Sequence, residues 1–167
     1  VHVLSDEERA ASLAAFLAER PAGGDGVWVF AYGSLIWNPM VHHVERLAAQ
    51  TPDWHRSCCL ATKGGRGTPD NPGLMLGLRP GPGFLGGGCT GVAFRIEEHL
   101  VAPELDLLWR REMVAGGYIP RWVPLATPDG VVVRHGVAFT IDPGGPGYCE
   151  LEEAVVTAMY EAFDSQE

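Results

Sequence analysis

The sequence predicts a mixed α+β domain, and three observations carry that prediction. Helix-compatible segments lie near both ends and once in the middle, and the runs between them are short, apolar and rich in β-branched residues. The 22 Gly and 13 Pro fall mostly in turns between those runs, so they punctuate strands and do not signal disorder. The order helix, strands, helix, strands, helix favours a curved or closed sheet over a regular βαβ alternation.

Each element has a local reason. Ser5 and Glu8 form a capping-box pattern, and Leu13, Phe16 and Leu17 follow at helical spacing until Pro21 stops the helix. Val27 to Ala31 (VWVFA) reads as a buried strand between Gly26 and the Gly33-Ser34 turn. Asn38-Pro39 breaks structure, and the stretch to Gln50 is ambiguous between helix and strand. Further strands are predicted near Arg56 to Lys63, Leu74 to Leu78, Gly88 to Ile96, Ile119 to Ala126 and Val131 to Ile141. Pro103 to Gly116 reads as a helix with Pro at its first position and Gly just past its end, and Glu150 to Phe163 as a final helix.

The 167 residues suit one domain spanning 1–167, with no linker, repeat or low-complexity run. A net charge of -9, with Lys63 the single lysine, argues against nucleic acid or an anionic membrane as the main partner. A small anion could still be held by arginines or backbone N–H groups. Cys58, Cys59, Cys89 and Cys149 lack metal or disulfide-framework spacing and read as reduced thiols of a cytoplasmic protein. No apolar run reaches about 18 residues, and the N-terminus lacks a signal-peptide pattern. The chain does not begin with Met, as expected of a processed or incomplete form of a gene product.

Glu112 is the candidate for chemistry. At roughly 100° per residue it falls on the apolar stripe of the middle helix, near Leu105, Leu108, Trp109 and Met113, while Arg110 and Arg111 are expected on the wet side. A carboxylate there is either paired or functional, and desolvation would make it a stronger base. Tyr32-Gly33-Ser34-Leu35 is the second candidate, because N–H groups in such a turn can converge on an anion; an ordinary turn remains the alternative. Arg66, Gly67 and Thr68 form a flexible approach for a basic side chain or a solvated turn, and Tyr118 adds a phenol after Gly116-Gly117. His55 and Cys58 would point to opposite strand faces, which argues against a Cys-His pair, and His42-His43 lacks helical metal spacing.

The blocks VWVFAYGSLIWNP (27–39), RGTPDNPGLMLGL (66–78), GCTGVAFRI (88–96) and WRREMVAGGYIPRWV (109–123) resemble the ChaC-type, glutathione-specific γ-glutamylcyclotransferases. The resemblance covers about residues 27 to 141, in family order. It implies a γ-glutamylcyclotransferase-like fold, a small mixed β-barrel flanked by helices, with no metal or organic cofactor. It further implies cleavage of glutathione to 5-oxoproline and cysteinylglycine, with Glu112 as acid/base and Tyr32, Gly33, Ser34 and Leu35, extended through Ile36 and Trp37, binding the γ-glutamyl group. Other γ-glutamyl amino acids or amines as substrates, or a non-catalytic module for a small zwitterion, stay open at this point. Ala31 stands where the family has Gly, a change expected to be tolerated in extended backbone. Beyond Ile141 the pattern departs: 142–147 lead directly into one helix, so a wall of the pocket is expected to be missing or to lie outside this chain.

Overall fold

A computed structural model describes residues 3–62, 68–70, 72–83, 86–114, 116–130 and 132–151. Its centre is a closed five-stranded barrel in the order β1-β5-β2-β6-β7. The strands are β1 (Val27–Ala31), β2 (Glu45–Thr51), β5 (Cys89–Ile96), β6 (Tyr118–Ala126) and β7 (Val132–Ile141). β3 (Trp54–Thr62) and β4 (Gly73–Pro80) form a separate two-stranded sheet. The barrel is mixed, as expected: β1 runs antiparallel to β5 and closes the ring by a parallel pairing with β7.

Every residue of β1 is buried, because the strand is covered on both faces. Val27, Val29 and Ala31 face a core built with the helices, whereas Trp28, Phe30 and Tyr32 join Ala93, Val123 and Leu125 in the barrel interior. This period-two alternation fixes which side chains reach the barrel mouth. β1 and β7 both finish at that end and β6 begins there, since Tyr118 pairs with Ile141.

Helix α1 (Asp6–Ala18) starts at the expected capping box: the Ser5 hydroxyl accepts from the Glu8 N–H, and the Ser5 N–H donates to the Glu8 carboxylate at 2.8 Å. Helix α2 (Val101–Glu112) buries Val101, Leu105, Leu108 and Trp109 against the barrel. Trp109 is fully buried, edge-on to Phe139 with ring centroids 5.4 Å apart, and its indole N–H donates to Ser12 of α1. Phe16 stacks on Trp122 at 4.6 Å, so aromatic contacts fasten both helices to the barrel wall.

The structure corrects three boundaries. α2 begins at Val101 and not at Pro103, because the first N–H groups of any helix lack intrahelical acceptors and a proline in the first turn forfeits nothing. It ends at Glu112, with Gly116 at φ +65 in the turn beyond. The unassigned stretch before Gln50 contains β2. The predicted helix from Glu150 to Phe163 lies outside the described residues apart from Glu150 and Leu151. Among the described residues, no helix is long and apolar enough to cross a membrane.

Candidate active site

The mouth of the barrel opens into a cleft of 470 Å³, within the roughly 300–1,000 Å³ of small-molecule sites. Its floor is the end of β1 and the turn beyond it, from Phe30 through Tyr32 to Leu35. Arg111, Glu112 and Tyr118 form one side, and Leu74, Met75 and Leu76 of β4 face them with residues of β3. A second cleft of 310 Å³, beside Gly23, Gly24 and Trp28, includes no carboxylate among its described residues. It offers no comparable chemistry.

After β1 the chain makes a 3₁₀ turn, Ser34–Ile36, with the Ile36 N–H bonded to the Gly33 carbonyl. The N–H groups opening such a turn have no intrahelical acceptors, which leaves Ser34 and Leu35 able to donate to an anion. A Cβ built on Gly33 would come only within 3.7 Å of Leu76 Cδ1, another residue of the cleft. Glycine here therefore leaves open space in the cleft.

Glu112 is the last residue of α2, and its side chain is 14% exposed. Burial pushes its carboxyl above the usual range, and the nearby Arg111 charge opposes that rise without cancelling it. Two phenols share the cleft. The Tyr32 hydroxyl donates to the Phe139 carbonyl at 2.5 Å, and the Tyr118 hydroxyl donates to the Leu76 carbonyl at 3.0 Å. Burial raises both phenols, with the Glu112 charge adding to the effect. Both stay neutral at physiological pH and brace the walls.

Arg111 does not lie on the wet side as its helical azimuth predicts. Arg110 does, bonded to Asp106 at 2.8 Å. Arg111 instead sweeps over the turn: its Nε lies 3.1 Å from Glu112, while its terminal nitrogens donate to Ser34 Oγ at 3.0 Å and the Asn38 carbonyl at 3.3 Å. A long flexible stem lets a guanidinium reach a neighbouring face, which a helical wheel does not capture. Sequence reasoning missed this residue, and the nearest signal was its adjacency to Glu112.

The remaining candidates divide. Tyr32, Gly33, Ser34, Leu35, Glu112 and Tyr118 meet at the cleft. Ile36 and Trp37 do not line it: Ile36 packs against the helix-side core and Trp37 is 81% exposed, because the tight 3₁₀ turn swings successive side chains apart. Arg66 and Gly67 lie outside the described residues, and Thr68 is exposed and is not among the described residues lining the cleft. Cys58 lines the cleft, whereas His55 bonds to the Gly81 carbonyl at 3.1 Å and is not among the described residues that line it. Among the described residues, no group of three or more His, Cys, Asp and Glu could hold a metal ion.

The segment after β7 supplies a wall that the sequence did not promise. Gly147 accepts from the Ala61 N–H at 2.7 Å, Tyr148 bridges to Leu60, and the Cys149 N–H donates to the Cys59 carbonyl at 3.0 Å. Pro146 thereby enters the cleft lining. Arg79 holds this strap from β4, bonded to Glu150 at 3.0 Å and set over the Tyr148 ring.

A closed mixed barrel with two helices on its side and a cleft at its mouth is a γ-glutamylcyclotransferase fold. A yeast crystal structure described as a γ-glutamyl cyclotransferase specific to glutathione superposes with a TM-score of 0.66 at 22% identity, covering 81% of this chain and 77% of that one. The chain belongs to the ChaC-like protein family, whose model matches residues 27–158. An Escherichia coli protein named glutathione-specific γ-glutamylcyclotransferase is 47% identical over 92% of this chain and 64% of its own length. A mouse protein named glutathione-specific γ-glutamylcyclotransferase 1 is 31% identical over 84% of this chain and 65% of its own. The chain thus spans slightly less than two thirds of these relatives.

Proposed function

We propose that the chain is a glutathione-specific γ-glutamylcyclotransferase, a lyase that converts glutathione to 5-oxoproline and cysteinylglycine. The observation that carries this reading is the position of Glu112, a desolvated carboxylate opening on a cleft whose floor is the Tyr32 to Leu35 turn. The names of the Escherichia coli and mouse relatives support it.

The substrate's α-amine attacks its own γ-carbonyl carbon, closing the five-membered ring. At neutral pH that amine is mostly an ammonium and no nucleophile, so a base must take a proton first. Glu112 does this, and its raised affinity for protons fits the task better than that of an ordinary surface carboxylate. A C–N bond forms, the peptide-like C–N bond to cysteine breaks, and Glu112 passes its proton to the departing amine. It then takes the second proton that the attacking nitrogen sheds on becoming the lactam N–H and hands it on to the same amine, which leaves as an ammonium. The turn at Tyr32 to Leu35 holds the γ-glutamyl head folded for attack, which lowers the entropic barrier to ring closure. Acid–base chemistry and positioning account for every bond, without an enzyme nucleophile or a cofactor. Four free thiols support a reducing, cytoplasmic setting.

The test is formation of 5-oxoproline from glutathione and, separately, from γ-glutamyl-alanine. Product from glutathione with little from the dipeptide supports the reading. Equal turnover shifts the substrate to γ-glutamyl compounds in general, and absence of product from both refutes the activity.

A further inference from the structure

We propose that Cys59 and Cys149 form a reversible disulfide that ties the strap after β7 to β3, made by exchange with glutathione disulfide. The pair stands outside the reaction proposed above, and only its effect on turnover rests on that reading. Register carries the argument. Leu60 and Tyr148 bridge as antiparallel partners, flanked by the Ala61 N–H bonded to the Gly147 carbonyl at 2.7 Å and the Cys149 N–H bonded to the Cys59 carbonyl at 3.0 Å. One step along that ladder, Cys59 and Cys149 stand opposite each other. Residues opposed in this way carry their side chains on one face, with Cα atoms about 5.5 Å apart, inside the range of roughly 4.4–6.8 Å that a disulfide spans. Both are free thiols. Burial pushes the Cys59 thiol up to about 11, against the pull of Arg79, and charge on Cys149 and then Cys58 adds to the rise, so these sulfurs are near enough to interact.

Exposure orders the chemistry. Cys149 is half-buried and Cys59 fully buried, so a small disulfide reaches the strap thiol first. The Cys149 thiolate attacks one sulfur of glutathione disulfide, forming a mixed disulfide and releasing one glutathione thiolate. The Cys59 sulfur then attacks Cys149 Sγ, and the second glutathione leaves. The two thiol protons of the protein end on the two glutathiones, and the two electrons lost by the cysteine pair reduce glutathione disulfide. The second step needs no access from solvent, and its proximity compensates for a thiol that stays protonated at neutral pH. Bond closure draws Cβ atoms about 5 Å apart to about 3.8 Å. Leu60 on β3 and Pro146 on the strap, both in the cleft lining, shift with them. Since the oxidant is the oxidised form of the proposed substrate, the cross-link responds to depletion of what the enzyme consumes.

The experiment uses Glu112→Gln, so that glutathione is not consumed, incubated with glutathione disulfide and mapped by non-reducing tryptic mass spectrometry. The peptide of residues 57–63 should be joined to the one holding Cys149, and should stay joined when Cys58→Ser is added. Adding Cys149→Ser should abolish the link, and adding Cys59→Ala should stop the exchange at a glutathionylated Cys149. Glutathione on Cys149 with no joined peptides in the parent variant, or a link that survives Cys149→Ser, overturns the proposal. S-methylglutathione then probes the effect, because it cannot reduce the bond. Its affinity for Glu112→Gln by calorimetry, and its turnover by the wild type, should each fall on the order of tenfold on cross-linking, with dithiothreitol restoring both and Cys149→Ser unaffected. A cross-link that leaves affinity and turnover unchanged overturns the switch. No turnover of glutathione by the reduced wild type, with the cross-link and the affinity change present, refutes the cyclotransferase reading and sustains the disulfide.

Discussion

Replacing Glu112 by Gln separates a catalytic carboxylate from a structural one, because the two roles give opposite signs in stability. The amide keeps the shape of a side chain whose carboxylate oxygen lies 3.1 Å from Arg111 Nε. It removes the charge and the proton-accepting function. Loss of a general base should lower kcat by about 10²–10⁴-fold, or roughly 3–5 kcal/mol of barrier. For stability, burial raises the Glu112 carboxyl above 4.5, so the unfolded chain releases this proton at lower pH than the native state. Between those two values the native state binds more protons, and stability falls as pH rises, by at most about 1.4 kcal/mol for each pH unit crossed. Above the native value the full penalty persists. Gln carries none of it, so the variant should unfold at an equal or higher denaturant midpoint at pH 7, and its advantage should vanish as pH falls below about 4.5. The attraction of Arg111 works against this, but burial outweighs it, and a pair with 29% and 14% exposed side chains is partly screened. The assay is urea unfolding across pH beside 5-oxoproline release. A midpoint lowered by the equivalent of more than about 1 kcal/mol at pH 7, with turnover retained, would refute the reasoning and make Glu112 a structural ion-pair partner.

Three further outcomes are expected. Arg111→Met removes the charge that restrains Glu112, so the acid limb of the kcat/KM profile should move to higher pH; a limb that stays put would mean Glu112 is not the titrating base. Gly33→Ala places a methyl group 3.7 Å from Leu76 Cδ1 in ordinary contact, so circular dichroism should show an intact fold while KM for glutathione rises roughly tenfold or more from lost cleft space. Trp109→Ala deletes a fully buried ring that joins both helices to the barrel, and should cost about 3–5 kcal/mol by chemical denaturation, whereas Leu107→Ala, at a position 46% exposed on the same helix, should cost far less.

The legible parts of the fold are those that local chemistry settles. The capping box at Ser5 and the apolar run of β1 needed nothing beyond their own residues. β2 was illegible because ERLAAQT alternates poorly and begins with two exposed charged residues; pairing along its whole length with β5 makes it a strand. At the site, the stripe of α2 placed Glu112 correctly among Leu105, Leu108 and Trp109. The same wheel misplaced Arg111, since it fixes where a Cα points and says nothing of where a long side chain ends. Trp37 shows the converse error, a residue of the right segment carried out of the cleft by a 3₁₀ turn that sequence did not reveal.

The strap after β7 bears directly on selectivity. The departure from the family pattern beyond Ile141 suggested a wall that is missing or lies outside this chain, because 142–147 lead directly into one predicted helix. In the structure the glycine-rich composition of that segment is what permits the wall. Gly147 adopts φ +90, and a Cβ there would sit 2.4 Å from the Ala61 carbonyl oxygen, so only glycine lets the strap lie flat on β3. Pro146, carried by the strap, then meets Leu60 of β3 and the β4 side chains around the cleft. These apolar groups line the same cleft as the charged pair at the end of α2. Under the proposed reaction, the Tyr32 to Leu35 turn and Glu112 hold the γ-glutamyl end, and discrimination among leaving amines falls to the β3–β4 sheet and the strap that rests on it.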